Sequence, residues 1–315
     1  VDMRGEVYQG QSVGLGIRVP LIVVSPWTRG GWVNSQVHDH TSVIRFLEKR
    51  FGVHEPNITP WRRAVTGDMT SMFDFADPDR AALHAFPQTD DYLVKIMAQA
   101  KLPKPQVPAE QSVPGQEPGR RPVRALPYRM GIEDRVGPEG LELTFANRGE
   151  AGLVYNVYAP ESEAGPWFYT VEAGKSVRDR LPGMAASGAY AVSAFGPNGF
   201  LREFAGNASR EAKGGPVVRV EELRDGGLLM KLANHGASPV TLSVAAPTYG
   251  EVGDSEVRLS PGETHSLRID TAKSDRWYDL VVRESESGFR RRFAGYVETG
   301  APGMSDPALD GRGRA

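Results

Sequence analysis

Polar, charged and aromatic side chains crowd together between positions 25 and 42 of this chain. The cluster contains Ser25, Trp27, Thr28, Arg29, Trp32, Asn34, His38, Asp39, His40, Thr41 and Ser42. Arg29 is suited to face an anionic group, and Asp39 with His40 is suited to lie near a phosphate or a metal. The same residues also have structural uses, since Asp39 and Thr41 can cap a helix and His40 can bond to the backbone. Both interpretations of the cluster stay open.

Tryptophan and histidine add two further chemistries. Trp27, Trp32 and Trp61 could form an aromatic box for a quaternary ammonium group through cation–π attraction, although each alone is an ordinary core residue. His38 and His40 alternate as ligands on one strand face would, but a third ligand at suitable spacing is absent from the sequence. Because metal sites usually need three or four ligands, we predict no complete metal site in this chain.

A strand before the cluster and a helix after it would position these residues. Val19–Val24 is a short apolar run, which predicts a strand buried on both faces. Thr41 or Ser42 can cap the next helix and Gly52 can end it. Its apolar positions, at helical spacing, are Val43, Phe46, Leu47 and Phe51. The arrangement is typical of an α/β enzyme, and its position near residue 1 predicts the end of a catalytic domain whose beginning is absent.

Composition narrows the class of protein. The chain has 315 residues, 40% hydrophobic and 24% charged, as in ordinary globular proteins. A formal net charge of −2 argues against a nucleic-acid binder. With no cysteine, the chain has neither disulfides nor thiolate sites. No signal peptide and no apolar run long enough to span a bilayer are visible in the sequence. Neither GxGxxG nor HExxH occurs, so dinucleotide binding and zincin chemistry lack support.

The chain divides into a mixed segment, a linker and a repeat. Residues 1–101 mix strand and helix, with an irregular stretch after Ile58 and a short helix near Asp90–Ala100. Residues 102–127 are rich in proline and lack aromatic residues, which predicts an extended, semi-rigid linker. The tail, residues 300–315, should be disordered.

Residues 128–299 contain two copies of one module. The matching pairs are Leu141–Gly149 with Leu228–Gly236, Glu172–Leu181 with Ser260–Ile269, and Gly199–Gly206 with Gly288–Gly295, at offsets of 87, 88 and 89. Apolar and polar residues alternate in each copy, and turn signals recur at strand-length spacing. We predict two antiparallel β-sandwiches, residues 128–212 and 213–299, that fold independently. Arg290, Arg291 and Arg292 should alternate along an exposed strand.

The first segment resembles the last part of the catalytic domain in bacterial phosphocholine-specific phospholipases C. The resemblance rests on Gly14–Val53 and Ile58–Phe75, and residues 128–299 resemble the paired C-terminal modules of the same enzymes. These enzymes are similar to a phosphoesterase family with an alkaline-phosphatase-like fold. The implied fold is α+β and multidomain, with a partial α/β segment followed by two tandem β-sandwiches.

The resemblance also implies an activity. It implies hydrolysis of phosphatidylcholine or sphingomyelin to diacylglycerol or ceramide and phosphocholine, by a secreted or periplasmic enzyme at membrane surfaces. A divalent metal is implied as cofactor, but the family's metal ligands and nucleophile should precede Val1, so we assign no catalytic residue. Trp27, Arg29, Trp32, Asp39 and His40 are the substrate-binding candidates.

Three hypotheses follow for the function of the chain. It is part of a phospholipase C, inactive as an isolated chain, which would need the missing N-terminal part of the catalytic domain as partner. Alternatively, the twin modules bind a lipid surface or a protein without catalysis. In the third hypothesis the modules have a purely structural role and cover an edge of the catalytic sheet.

Overall fold

The computed structural model describes residues 1–76, 78, 88–112, 117–137, 139–160, 165–181, 188–250, 252 and 256–309. Its helices are α1 His40–Phe51, α2 Pro60–Val65, α3 Tyr92–Gln99 and α4 Ala208–Glu211, with 3-10 turns at Thr70–Met72, Ala272–Ser274 and Pro307–Leu309. Its strands are β1 Val7–Tyr8, β2 Gln11–Ser12, β3 Pro122–Val123, β4 Met130–Gly137, β5 Gly140–Asn147, β6 Leu153–Tyr158, β7 Trp167–Val171, β8 Ser176–Arg180, β9 Ala189–Phe195, β10 Leu201–Asn207, β11 Pro216–Glu222, β12 Leu228–Asn234, β13 Val240–Ala245, β14 Glu256–Leu259, β15 Thr264–Ile269, β16 Trp277–Glu284, β17 Arg290–Tyr296 and β18 Gly303–Met304.

The predicted buried strand at Val19–Val24 is wrong for this structure. The run has no regular secondary structure, and Ile22 and Val24 are 84% and 89% exposed. A strand forms only where neighbouring strands satisfy its backbone groups. Among the described residues no strand lies beside this run, so its apolar sequence has no sheet to enter.

The predicted helix at the cluster is confirmed as α1. Its N-cap is Asp39, with Ser42 completing a capping box, rather than Thr41 or Ser42 alone. Gly52 ends it in the left-handed conformation, with its N–H donated to the Glu48 carbonyl at 2.8 Å. The apolar face is not the buried one: Val43, Leu47 and Phe51 are exposed, whereas Ser42 is buried.

A short helix interrupts the stretch after Ile58 that was predicted to be irregular. Thr59 caps α2, and Pro60 occupies its first turn, where a missing N–H costs nothing. Trp61 and Val65 are buried. Trp61 Nε1 donates to Thr170 Oγ1 of β7 at 2.9 Å, so α2 joins the first segment to the first module.

The helix predicted near Asp90–Ala100 is confirmed as α3. All of its side chains are exposed. None of the helices in the described part of the chain has the length and apolar character of a membrane-spanning segment.

Both modules are antiparallel sandwiches with separate cores, as predicted. In the first module, β4, β5 and β8 cover β6, β7, β9 and β10, and Phe145, Tyr155 and Phe204 are fully buried between them. In the second module, β11, β12 and β15 cover β13, β14, β16 and β17. Asn147 and Asn234 occupy equivalent turns, and each side chain donates to two backbone carbonyls.

One sheet runs through both modules, and their independent folding stays a prediction. Strand β10 pairs antiparallel with β17, giving one sheet of eight strands in the order β14-β13-β16-β17-β10-β9-β6-β7. The pairing is centred on Glu203 and Arg292, which are equivalent residues of the two repeats. A local two-fold relationship therefore joins the modules. The predicted domain boundaries in the sequence stay predictions.

The predicted disordered tail is ordered in its described part, residues 300–309. Gly303–Met304 pair with Pro122–Val123 at the end of the linker, and both strands are short. Residues 310–315 and linker residues 113–116 lie outside the described part. The tail pairs with the linker because the fold of the second module brings it alongside, a contact between segments about 180 residues apart in sequence.

Candidate functional site

The loop at positions 25–34 is held by its own small polar side chains. Thr28 Oγ1 accepts a hydrogen bond from Ser25 N–H at 3.0 Å and donates to the Val23 carbonyl at 3.1 Å. Ser25 Oγ accepts from Trp27 N–H at 3.2 Å. Such bonds stabilise a turn outside regular secondary structure. The loop therefore presents its tryptophans from a fixed backbone.

Trp27 lies at the end of a row of aromatic rings. Its ring centroid is 6.1 Å from that of Phe75, and 5.1 Å separates Phe75 from Phe73 and Phe73 from Phe46. The Trp27 carbonyl also accepts from Asp74 N–H at 2.8 Å. At 39% exposure, Trp27 offers an open indole face on a packed support, which is the kind of surface that binds a quaternary ammonium group.

Trp32 already carries a cation on its ring. The Arg124 guanidinium carbon lies 4.1 Å from the Trp32 ring centroid. Gly30 and Gly31 precede Trp32 in the chain. Their backbone φ angles are 108° and 68°, values that favour glycine. Trp32 is therefore oriented by a residue of the linker, almost a hundred positions away.

Of the two roles considered for Trp61, an aromatic box or the core, the structure shows the core. Trp61 is only 3% exposed and its indole N–H is used by Thr170. Trp27 and Trp32 lie on the same loop, and Arg29 lies half-buried between them in sequence. These three residues form the part of the predicted site that the structure keeps on one element.

Both carboxylate oxygens of Asp39 are hydrogen-bonded to neighbouring residues of the protein. Its Oδ1 accepts from Thr41 N–H at 2.9 Å, which caps α1, and its Oδ2 accepts from Arg62 Nη1 at 2.6 Å. Burial opposes ionisation of Asp39, but the hydrogen bonds from Thr41 and Arg62 outweigh it and lower the pKa of the carboxyl. His40 follows as the first, exposed residue of α1. The geometry at Asp39 is that of a helix cap joined to an ion pair.

Glu6 and Arg62 complete a network that sequence analysis missed. Arg62 Nε and Nη2 donate to the two Glu6 oxygens at 2.8 and 3.0 Å, and Thr59 Oγ1 donates to Oε1 at 2.6 Å. Glu6 is 1% exposed, so this bidentate pair compensates for a buried carboxylate. No local sequence pattern predicts this network, because Glu6 and Arg62 are more than fifty positions apart in sequence.

His38 and His40 do not share a strand face. His38 lies in the loop before α1, where its Nδ1 faces the Gln36 carbonyl at 2.8 Å. Burial lowers the pKa of its imidazole, and Nε2 is a buried atom with no hydrogen-bond partner in the described structure. Within the described ranges no three His, Asp or Glu side chains group as metal ligands. These residues do not fit the divalent cation that the resemblance implies.

One further motif has the spacing of a serine nucleophile. Residues 10–14, Gly-Gln-Ser-Val-Gly, match GxSxG, the strand-to-helix elbow of α/β-hydrolases. Ser12 instead ends a two-residue strand in the β1–β2 hairpin and is exposed. The motif is therefore out of its required context, and Ser12 is not positioned as such a nucleophile.

An open groove of about 430 Å³ runs between the first segment and the first module. Its charged walls carry three basic and three acidic residues, Arg45, Arg63, Lys175, Asp68, Glu150 and Glu172. Most of these charges are paired with neighbours on the protein, as in the contacts of Arg63 with Glu48 and Lys175 with Glu172. The groove lacks a surplus of either charge and resembles an ordinary polar interface.

Two family profiles match the chain. "Bacterial phospholipase C, C-terminal domain" matches residues 122–207 and 215–296, which are the two sandwich modules. "Phosphoesterase family" matches residues 2–54, which contain the loop of Trp27 and Trp32 and all of α1.

Curated relatives match over nearly the whole chain. A non-hemolytic phospholipase C of Pseudomonas aeruginosa is 47% identical over 97% of this chain and 46% of its own length. A non-hemolytic phospholipase C of Burkholderia pseudomallei is 41% identical over 98% of this chain and 46% of its length. A hemolytic phospholipase C of Pseudomonas aeruginosa is 40% identical over 97% of this chain and 46% of its own length. The chain thus spans about half the length of these relatives.

Proposed function

The chain belongs to the bacterial phospholipase C family, and from this premise we propose that it is the C-terminal part of an exported enzyme that cleaves phosphocholine lipids. The products would be phosphocholine with diacylglycerol from phosphatidylcholine, or with ceramide from sphingomyelin. The observation that carries the proposal is the continuous match to a non-hemolytic phospholipase C, which runs through the first segment, the linker and both modules.

The described side chains support a binding role in this reaction. Phosphocholine joins a quaternary ammonium group to a phosphate. The exposed face of Trp27 suits the ammonium group, and Arg29 on the same loop suits the phosphate. Trp32 would extend the aromatic wall, while Asp39 fixes the start of α1 and places His40 at its exposed first turn. Trp27, Arg29 and Trp32 would contact the substrate, whereas Asp39 would act through its place at the start of α1.

We propose further that the isolated chain does not hydrolyse a phosphodiester. What supports this is that the described residues contain no group of three His, Asp or Glu side chains that could hold a divalent cation. The remaining groups are proposed to come from the part of the enzyme that corresponds to the other half of its relatives.

Complementation tests this proposal. The chain is mixed with the separately produced remainder of the Pseudomonas aeruginosa non-hemolytic relative, and p-nitrophenylphosphorylcholine turnover is measured with and without chelator. We expect turnover only in the mixture. Turnover by the chain alone would refute its inactivity. No turnover in a mixture of two folded parts would refute a shared phospholipase site.

A second candidate function, lipid binding without catalysis, is favoured by α3 rather than by the modules. Leu93, Val94 and Met97 of α3 are 71%, 70% and 67% exposed. Co-sedimentation of the chain with phosphatidylcholine and phosphatidylglycerol vesicles tests this, with Val94→Asp as the comparison variant. Pelleting that the substitution abolishes would support binding by α3, and no pelleting of the native chain would exclude it.

A further inference from the structure

We propose that the ordered tail positions the loop of Trp27 and Trp32, acting through the end of the linker. The part of the tail concerned is residues 300–306, and the loop is residues 25–34. The inference rests on the proposed function in that it takes this loop as a wall of the phosphocholine site. Three short segments that are distant in sequence lie side by side and form the connection.

The loop is bonded to the linker strand β3 through one residue. Val33 N–H donates to the Pro122 carbonyl at 2.9 Å, and Arg124 N–H donates to the Val33 carbonyl at 2.9 Å. This is a parallel bridge between Val33 and Val123. Pro122 fits this place because its missing N–H is not needed in the pairing.

The tail occupies the other edge of β3. Gly303 pairs with Val123 and Met304 with Pro122 in antiparallel register. Ser305 N–H then donates to the Arg121 carbonyl at 2.8 Å, and Arg121 N–H donates to Ser305 Oγ at 2.9 Å. A strand of two residues with one neighbour is marginal, so β3 depends on the tail for its second neighbour.

The second module holds the tail in place. Trp277 Nε1 donates to the Met304 carbonyl at 3.0 Å, and Arg276 Nη2 donates to the Pro302 carbonyl at 2.7 Å. Trp277 is 8% exposed and its ring lies 5.2 Å from that of Tyr296. The tail is therefore attached to a well-packed part of the second sandwich.

The side chain that orients Trp32 belongs to the same assembly. Arg124 follows β3 directly and stacks on Trp32 at 4.1 Å. Displacing β3 moves both the backbone bond at Val33 and this stacked guanidinium. Since small errors in placing a binding wall weaken a site strongly, the tail should affect substrate binding more than the chemical step. Ser305 and Arg124 are thus positioning residues.

Hydrogen exchange of the full chain tests the connection without requiring activity. Ser305→Pro removes the N–H that donates to the Arg121 carbonyl, whereas the comparison variant Ser305→Ala keeps this N–H and loses only the hydroxyl that accepts from Arg121 N–H. We expect amide exchange at Val33 to become about tenfold faster in Ser305→Pro and to change less in Ser305→Ala. A chain ended after Ala301, compared with one ended after Leu309, gives a second pair. Unchanged exchange at Val33 in both Ser305→Pro and the shorter chain would overturn the proposal.

The complemented enzyme supplies the second measurement. We expect Ser305→Pro and Arg124→Ala to raise KM for p-nitrophenylphosphorylcholine about threefold to tenfold, with kcat within about twofold of the native value. Faster exchange at Val33 with an unchanged KM would overturn the positioning role while leaving the proposed phospholipase function intact. Absence of turnover in every mixture would overturn the proposed function, and the exchange comparison would still decide whether the tail positions the loop.

Discussion

Arg202 of the first module and Arg291 of the second lie at equivalent positions, and each guanidinium reaches into the other module. Arg202 donates to the Ala294 carbonyl and to the Tyr278 hydroxyl, both at 2.9 Å. Arg291 donates to the equivalent groups of the first module, those of Ala205 and Tyr190, both at 2.8 Å.

These reciprocal hydrogen bonds from Arg202 and Arg291 explain why two sandwiches with separate cores form one body. Arg202 and Arg291 are 3% and 1% exposed, so neither charge contacts water. Arg291 also pairs with Glu211 and Asp134, both at 2.7 Å. The prediction that Arg291 lies on an exposed strand is therefore wrong. Its neighbours Arg290 and Arg292 are engaged with Glu203 and with Asp279, which leaves little of this strand for anionic headgroups.

Replacing Arg291 with methionine should lower the free energy of unfolding by about 3–5 kcal/mol, because Glu211 would stay largely buried without this cation and Asp134 would keep only its ion pair with Arg219. Arg290→Met is the matched control on the same strand. Its partly exposed ion pair should be worth about 1 kcal/mol or less. Urea unfolding of the whole chain measures both. If both variants lost the same free energy of unfolding, the contacts that Arg291 makes with the first module would not be important for stability.

Glu222 should make the junction between the modules sensitive to pH. Burial raises the pKa of Glu222 to about 7, with Arg202 opposing this and Glu298 adding to it. Between its unfolded value of 4.5 and about 7, the folded state keeps a proton that the unfolded chain has released. The free energy of unfolding should therefore fall as pH rises, by at most about 1.4 kcal/mol per pH unit, and level off above pH 7.

The substitution Glu222→Gln should remove most of this slope, whereas Glu221→Gln should preserve it because Glu221 is exposed and paired with Lys231. Burial also raises the pKa of Glu298, which should leave a smaller slope in Glu222→Gln. Urea midpoints between pH 5 and pH 8 give the comparison. A slope that survives unchanged in Glu222→Gln would assign the pH dependence elsewhere.

Asp39 should act through its cap and its ion pair rather than by touching substrate. Asp39→Ala should destabilise α1 by about 1–2 kcal/mol and speed amide exchange in its first turn. Asp39→Asn should recover most of that loss, since asparagine caps equally well and loses only the charge facing Arg62. If Asp39→Asn abolished turnover of the complemented enzyme while leaving α1 protected, Asp39 would have a role in the reaction.

Two tryptophans should separate stability from binding. Trp61→Ala should cost about 3–5 kcal/mol and release the first segment from the first module, since Trp61 is buried between them. Trp27→Ala should cost far less stability and instead raise KM for a choline ester in the complemented enzyme. Thermal unfolding measures the stability of both variants, and steady-state kinetics measures their KM. A Trp27→Ala enzyme with native KM would remove Trp27 from the site.

Local patterns in the sequence determined much of the fold. The alternation along Leu141, Leu143 and Phe145 predicts a half-buried strand, and these residues are fully buried in β5. The repeated Asn-x-Gly at Asn147 and Asn234 predicts equivalent turns, which the structure contains. The ends of helices are predictable for the same reason. The hydrogen bond that ends α1 at Gly52 joins residues only a few positions apart in sequence. The family resemblance, too, was readable from the sequence alone.

Only the tertiary structure decided what lies opposite each of these elements. The pairing of β10 with β17 buries Arg291, which a local pattern reads as exposed. Val19–Val24 has the composition of a buried strand and is exposed, because strand formation needs neighbours. The tail pairs with β3 because the second module carries it there. Burial and register depend on residues far away in sequence, so the sequence determined the elements and the tertiary structure determined their partners.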